Sequence, residues 1–194
     1  YLRVNYKIVK SWASWEWLQY MQSKNPTTPN LINKLFMPQS RGSLSSEKDF
    51  WGLVLQYESL HCIYSNQVLD PDNLSLDHYL PWSFVAHDQL WNLIPTYPSI
   101  NSSKSNNLPS YDYFQSFVEL QYKGLNIYHS KAGYKKWLKR VDSYISDLKM
   151  SQPEDLLDIE KLRNAYELTI SPLISLATIQ GFTPNWEYHE STLD

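Results

Sequence analysis

A chain of 194 residues with 42% hydrophobic and 19% charged residues can build one core and is too apolar to stay disordered. Its apolar runs are too short to cross a bilayer, and its net charge of −3 argues mildly against a general nucleic-acid binder. The lone cysteine, Cys62, excludes an internal disulfide and a Cys-rich zinc site, and fits a reducing, cytoplasmic setting. No cleavable leader is visible. The chain opens on Tyr1 rather than Met, which reads as a processed or trimmed piece of something longer.

Taken in order, Leu2, Ile8, Val9, Trp12, Trp15 and Leu18 recur at helical spacing and predict a helix to about Met21, with Arg3, Lys7 and Lys10 on another face. Pro26 and Pro29 end it. Asn30 is a candidate cap for a short helix through Phe36, and Met37 to Ser45 has loop composition. Arg41 in that loop is a candidate phosphate contact, with a plainly solvated side chain the favoured alternative. Ser46, with Asp49 three residues on, predicts a helix to about Tyr57 carrying Phe50, Leu53 and Val54.

Cys62 to Leu69 reads as a short strand, Asp70 to Asn73 as a turn, and Leu74 to Leu80 as a second strand. Ser83 to Asp88 reads as a loop and Asp88 to Leu93 as a single turn. Pro98 suits the first turn of a helix over Ser99 to Asn106. Further helices are predicted over Tyr111 to Leu125, from Tyr134 through Lys149, and from Pro153, where Pro172 is predicted to stop or kink the chain. A short apolar helix over Leu173 to Ile179 comes next, closed by Gly181, and then a loose polar tail from Thr183. The fold predicted is mainly α with a small two-stranded β-hairpin. Residues 1–60 form a helical leader packed on a core at 61–110, and a helical region at 111–194 completes the same compact domain.

Chemistry concentrates between Leu76 and Pro109. Hydrolysing a phosphodiester needs a base for the water, a cation for the developing charge, and alignment of the two. Asp77 is a hard oxygen ligand suited to a magnesium-like ion, and His78 beside it is a candidate base. Asn101 offers a second ligand through its amide oxygen. Lys104, three residues on, shares its helical face and can meet a phosphate oxygen. Asn92, at a turn between them, can tie the loop across and orient His78. Lys123, Lys131, Lys135, Lys136, Lys139 and Arg140 form a basic run without an acid. That run reads equally as a solvated helix face and as a surface for a phosphate backbone, with Lys131, Lys135, Lys136 and Lys139 the candidate contacts.

The order of these residues resembles the HNH, or ββα-metal, nuclease motif. The likeness lies in the DHxxPxS opening (Asp77, His78, Pro81, Ser83), Asn92 in LWN, and NxxKSxxLP (Asn101, Lys104, Ser105, Leu108, Pro109). It is similar to the branch whose last motif residue is asparagine. The resemblance implies a ββα core clasping one Mg2+ or Mn2+ between Asp77 and Asn101, with His78 as general base and Asn92 steadying it. Many relatives also bind a structural zinc through two CxxC knuckles. Here only Cys62 of those four ligands remains, so no structural zinc is expected, and Tyr64, Trp82, Trp91, Tyr97 and Ile100 are the candidates to hold the clasp by packing.

The activity that the resemblance implies is that of an endonuclease acting on DNA, with RNA chemically equivalent. A protein partner or a further region would supply targeting, in a restriction or phage-defence setting and away from membranes. The alternative is a catalytically silent nucleic-acid-binding or assembly subunit, favoured by the missing knuckles, the acidic balance, and the 8 Trp and 15 Tyr.

Overall fold

The computed structural model describes residues 3–26, 28–36 and 43–190. It is mainly helical with one small antiparallel hairpin, as predicted. Arg41 and most of the loop around it lie outside the described residues. So does Leu2, at the start of the first predicted helix.

The first helix, α1, spans Tyr6–Lys24 and buries only Leu18. Helix α2, Leu31–Leu35, begins where predicted, but Asn30 does not cap it by its side chain. Its amide instead donates to Val85 O at 2.9 Å, and Asn33 donates to Ala86 O at 2.9 Å. Two carbonyls at the end of a neighbouring helix are satisfied in this way. Helix α3, Ser45–Tyr57, buries Phe50, Trp51 and Val54 in the core.

The predicted first strand, Cys62 to Leu69, is a turn. The Asn66 amide donates to Cys62 O and the Cys62 amide to Gln67 O, both at 2.9 Å, leaving one isolated bridge, His61 to Val68. The hairpin instead pairs β1, Ser75–His78, with β2, Leu93–Thr96, in the register Ser75 to Thr96 and His78 to Leu93. The second strand departs from expectation because it contains Pro95. A sheet of two strands consists of edges, however, and an edge position needs no inward N–H. The connection from Tyr79 to Asn92 carries a short helix, α4, Trp82–Val85, where a loop was expected, and a 3-10 turn, Leu90–Asn92. Helix α5, Pro98–Lys104, starts on Pro98 as predicted.

Three longer helices cover the hairpin: α6, Phe114–Ala132, α7, Tyr134–Asp147, and α8, Ile159–Ile179. Pro172 does not stop α8. The carbonyl it leaves without its helical partner belongs to Leu168, a residue that is 70% exposed. The tail is docked rather than loose. Leu108 N donates to Thr183 O, Trp186 N to Leu108 O and Ser110 N to Trp186 O, at 2.8 to 2.9 Å. Trp186 also packs edge-on against Tyr64.

A buried polar network holds β2 from behind. The fully buried Gln121 on α6 donates to Leu93 O at 3.0 Å, and Tyr144 on α7 donates to Gln121 at 2.7 Å. Tyr166 on α8 donates to Trp91 O at 2.9 Å. Trp51 Nε1 also donates to Leu93 O, at 3.2 Å, so the buried oxygens behind the strand are all satisfied, and one left bare would cost about 1–3 kcal/mol. Among the described residues no helix is long and apolar enough to cross a membrane.

Candidate active site

The long hairpin connection is clamped at its base by Asn92. Its side-chain oxygen accepts from Leu80 N at 2.8 Å and its NH2 donates to Leu80 O at 2.9 Å, while Tyr79 N donates to Asn92 O. Asn92 is fully buried, so these bonds fix the loop mouth. Asn92 therefore ties the loop as expected, but the hydrogen bond that orients His78 comes from another residue. His78 Nε2 lies 2.9 Å from Asp88 Oδ1, on the far side of the same loop. A carboxylate only accepts, so Nε2 carries the proton and Nδ1 keeps its lone pair. Sequence reasoning places Asp88 in a loop and gives it no role. The available signal is an acid ten residues past the histidine, in a connection that must fold back on itself.

Burial pulls the His78 imidazole below its ordinary 6.5. Asp88 and Asp77 oppose that pull, and the Lys104 ammonium adds to it. The ring is therefore neutral at neutral pH and able to accept a proton. His87, the residue before Asp88, lies against the Trp91 ring at 5.2 Å, and burial lowers it to about 4.

Asp77 points into the protein, with 2% of its surface exposed. Tyr64 donates to its Oδ2 at 2.7 Å, and Lys104 Nζ lies 3.1 Å from the carboxylate. Lys104 was expected to reach a phosphate oxygen. It is instead fully buried and also donates to His78 O at 2.7 Å. Burial lowers its pKa, with the Asp77 carboxylate opposing that shift. Its backbone sits at the end of α5, whose short length aims the side chain straight at β1. Asn101, one turn earlier, donates through Nδ2 to Ser75 Oγ at 2.8 Å and to Leu76 O at 3.1 Å. Both amide hydrogens are thereby used next to Asp77, and the amide oxygen has no partner among the described residues.

This donor set suits a hard divalent cation. The Asn101 oxygen is free, and a carboxylate offers about four lone-pair positions, of which Tyr64 and Lys104 occupy two at Asp77. Among the described residues no group of three His, Cys, Asp or Glu side chains could hold a metal, so water and phosphate oxygens would complete the shell. Of the remaining motif residues, Ser83 Oγ donates to Asn106 at 2.9 Å, tying the loop to the end of α5. Cys62 is buried against Thr96 Oγ1 at 3.2 Å. Tyr64, Trp91 and Ile100 are buried around the clasp, and Tyr97 donates to Val68 O.

The basic run lies elsewhere. Lys135, Lys136 and Lys139 are exposed on α7, while Lys131 covers the Tyr57 ring at 4.5 Å. Lys139 and Arg140 share a groove with Gln89 and Leu90, the residues directly after Asp88.

Residues 62–110, about a quarter of the chain, match the HNH endonuclease family. No curated protein and no solved structure matches the chain.

Proposed function

We propose that the chain is a divalent-metal-dependent endonuclease that hydrolyses phosphodiester bonds in DNA, with His78 as general base. The observation that carries this is the His78–Asp88 pair set beside Asp77 and the free amide oxygen of Asn101. His78 Nδ1 takes a proton from a water molecule, whose oxygen bonds to phosphorus. The opposite phosphorus–oxygen bond breaks, and the departing sugar oxygen takes a proton from solvent. Asp88 stabilises the imidazolium that forms and keeps the ring aimed. One Mg2+ or Mn2+ ion on Asp77 and Asn101 would stabilise charge on the phosphate and on the departing oxygen. Asn92 holds the mouth of the loop in register. The phosphate backbone is taken to run along the exposed Lys135, Lys136 and Lys139 of α7; the adjoining groove holds Glu47 and Asp142 as well, and Arg140 is tied there to Ser46 and Glu47. Targeting by a partner, in a restriction or phage-defence setting, belongs to the same proposal.

A second reading, a silent nucleic-acid-binding subunit, is favoured by one fact: the Lys104 ammonium already supplies Asp77 with a counter-charge. Incubating purified protein with plasmid and single-stranded DNA, in Mg2+ or Mn2+ against chelator, separates the two. Metal-dependent cutting is expected, and His78→Ala should lower it by about 10²- to 10⁴-fold at an unchanged melting temperature. Binding without turnover would favour the silent subunit, and undiminished cutting by His78→Ala would remove His78 from the mechanism.

A further inference from the structure

Two side chains hold the Asp77 carboxylate, and they hold it differently. Lys104 Nζ lies 3.1 Å from Oδ1 and 3.1 Å from Oδ2, so it does not choose between the two oxygens. Tyr64 does choose: its hydroxyl donates to Oδ2, at 2.7 Å. The terminal torsion of an aspartate is soft and roughly two-fold, so a partner on one oxygen is what fixes its turn. With Oδ2 taken by the phenol, Oδ1 keeps the greater lone-pair room. Neither the order nor the spacing of the motif includes Tyr64, which reaches Asp77 from the turn over residues 62–69.

The Tyr64 ring is itself held. It is buried edge-on against Tyr113 at 5.1 Å and against Trp186 at 5.2 Å. Trp186 belongs to the docked tail, and its backbone is bonded to Leu108 and Ser110, which follow the helix that carries Asn101 and Lys104. Two further bonds tie the tail to the same place. Tyr188 N donates to the Tyr113 hydroxyl at 3.0 Å, and Gln67 in the turn donates to Glu190 at 3.3 Å. The tail thus grips the ring, the turn that carries it and the chain behind α5. We infer that Tyr64 is a positioning residue for the metal site: it turns Asp77 so that one oxygen is offered to the cation, and Trp186 keeps the ring from swinging away. This inference rests on the metal-dependent reading given above. Tyr64 touches neither the water nor the phosphate in that scheme and acts through Asp77.

Binding of Mn2+ to the full chain without DNA, followed by the paramagnetic resonance of the free ion, tests it. Tyr64→Phe keeps the ring and its edge contacts and removes the hydroxyl. It should bind Mn2+ about tenfold more weakly than the wild type. Plasmid cutting by this variant should need correspondingly more Mn2+, and should return to within about threefold of the wild-type rate once the ion is saturating. Trp186→Leu keeps the hydroxyl but frees the ring, and should weaken Mn2+ binding by about threefold. A hydroxyl that only filled a buried corner would lower the melting temperature and leave the affinity for the ion unchanged, so the two are measured side by side. Where the wild type binds the ion, equal or tighter binding by Tyr64→Phe overturns the proposal and leaves the nuclease reading standing. Equal binding by Trp186→Leu does the same, and it decides the matter should Tyr64→Phe fail to fold. A wild type that binds no Mn2+ overturns both.

Discussion

His78 and His87 stand nine residues apart and are held neutral for the same reason, burial, but with different consequences for pH. His78 faces Asp88, whose carboxylate favours the imidazolium. In Asp88→Asn that support disappears and the ring becomes harder to protonate. The acid limb of kcat/KM, expected below pH 6.5 in the wild type, should move further down. The rate at the plateau should fall on the order of 10- to 100-fold, less than for a fully enclosed acid because Asp88 is 29% exposed. A pH–rate profile of both proteins reads both effects. His87 acts on stability. Above pH 6.5 it is neutral in both folded and unfolded chains. As pH falls from 6.5 towards about 4, the unfolded chain takes the proton first and stability is lost, by about 3 kcal/mol at most. His87→Phe, which keeps the contact with Trp91, should flatten urea-unfolding stability across that window. At this scale the motif gives the order and spacing of Asp77, His78, Asn92, Asn101 and Lys104, which lie on the hairpin, its connection and the helix after it, while their catalytic roles belong to the proposal. Asp88 was not legible, since its proximity to His78 depends on how the 79–92 connection folds. Nor was the burial of Lys104, because sequence spacing gives the face of a helix but not what that face meets.

At the scale of elements, the hairpin is legible in the sequence, but its second strand lies at Leu93 rather than upstream of Ser75. The apolar ends of Cys62 to Leu69 are real, but Cys62, Tyr64 and Leu69 are buried from a turn, Val68 is left exposed, and the bridge from His61 to Val68 never extends into a ladder. Proline misleads twice, at Pro95 in a strand and at Pro172 in a helix. Pro95 stands in a buried strand that is paired on one side only, and the carbonyl that Pro172 leaves unbonded belongs to an exposed residue, Leu168. The helices that carry the core were legible from their periodicity. What periodicity does not supply is how tightly they cross. Gly124 on α6 meets α3 where a Cβ would stand 2.9 Å from the Trp51 ring and 3.2 Å from Phe50. Both rings are fully buried and backed by other side chains, so neither can give way. Gly124→Ala should therefore cost about 1–3 kcal/mol in chemical denaturation despite the better helix propensity of alanine.

At the scale of the molecule, a net charge of −3 coexists with a cationic face on α7. If that face carries nucleic acid, reversing Lys135, Lys136 and Lys139 to Glu together should weaken DNA binding and flatten its dependence on salt by about two to three ions released. Cleavage of a short duplex at saturating DNA should change far less, because the site itself is untouched. The docking of the tail is not legible in its polar composition. The bonds that hold Thr183 and Trp186 are made by backbone, which composition does not reveal. On the proposed function, the ion pair between Lys104 and Asp77 also bears on the protein in its metal-free form. A carboxylate buried at the heart of the hairpin would ordinarily depend on an incoming ion to offset its isolation, and the scaffold would then sag whenever that ion was taken away. Here a lysine from the same chain lies 3.1 Å from it and offsets that isolation. EDTA should thus leave the thermal midpoint of the protein where it was, and adding magnesium afterwards should switch on chemistry in a scaffold that was already complete.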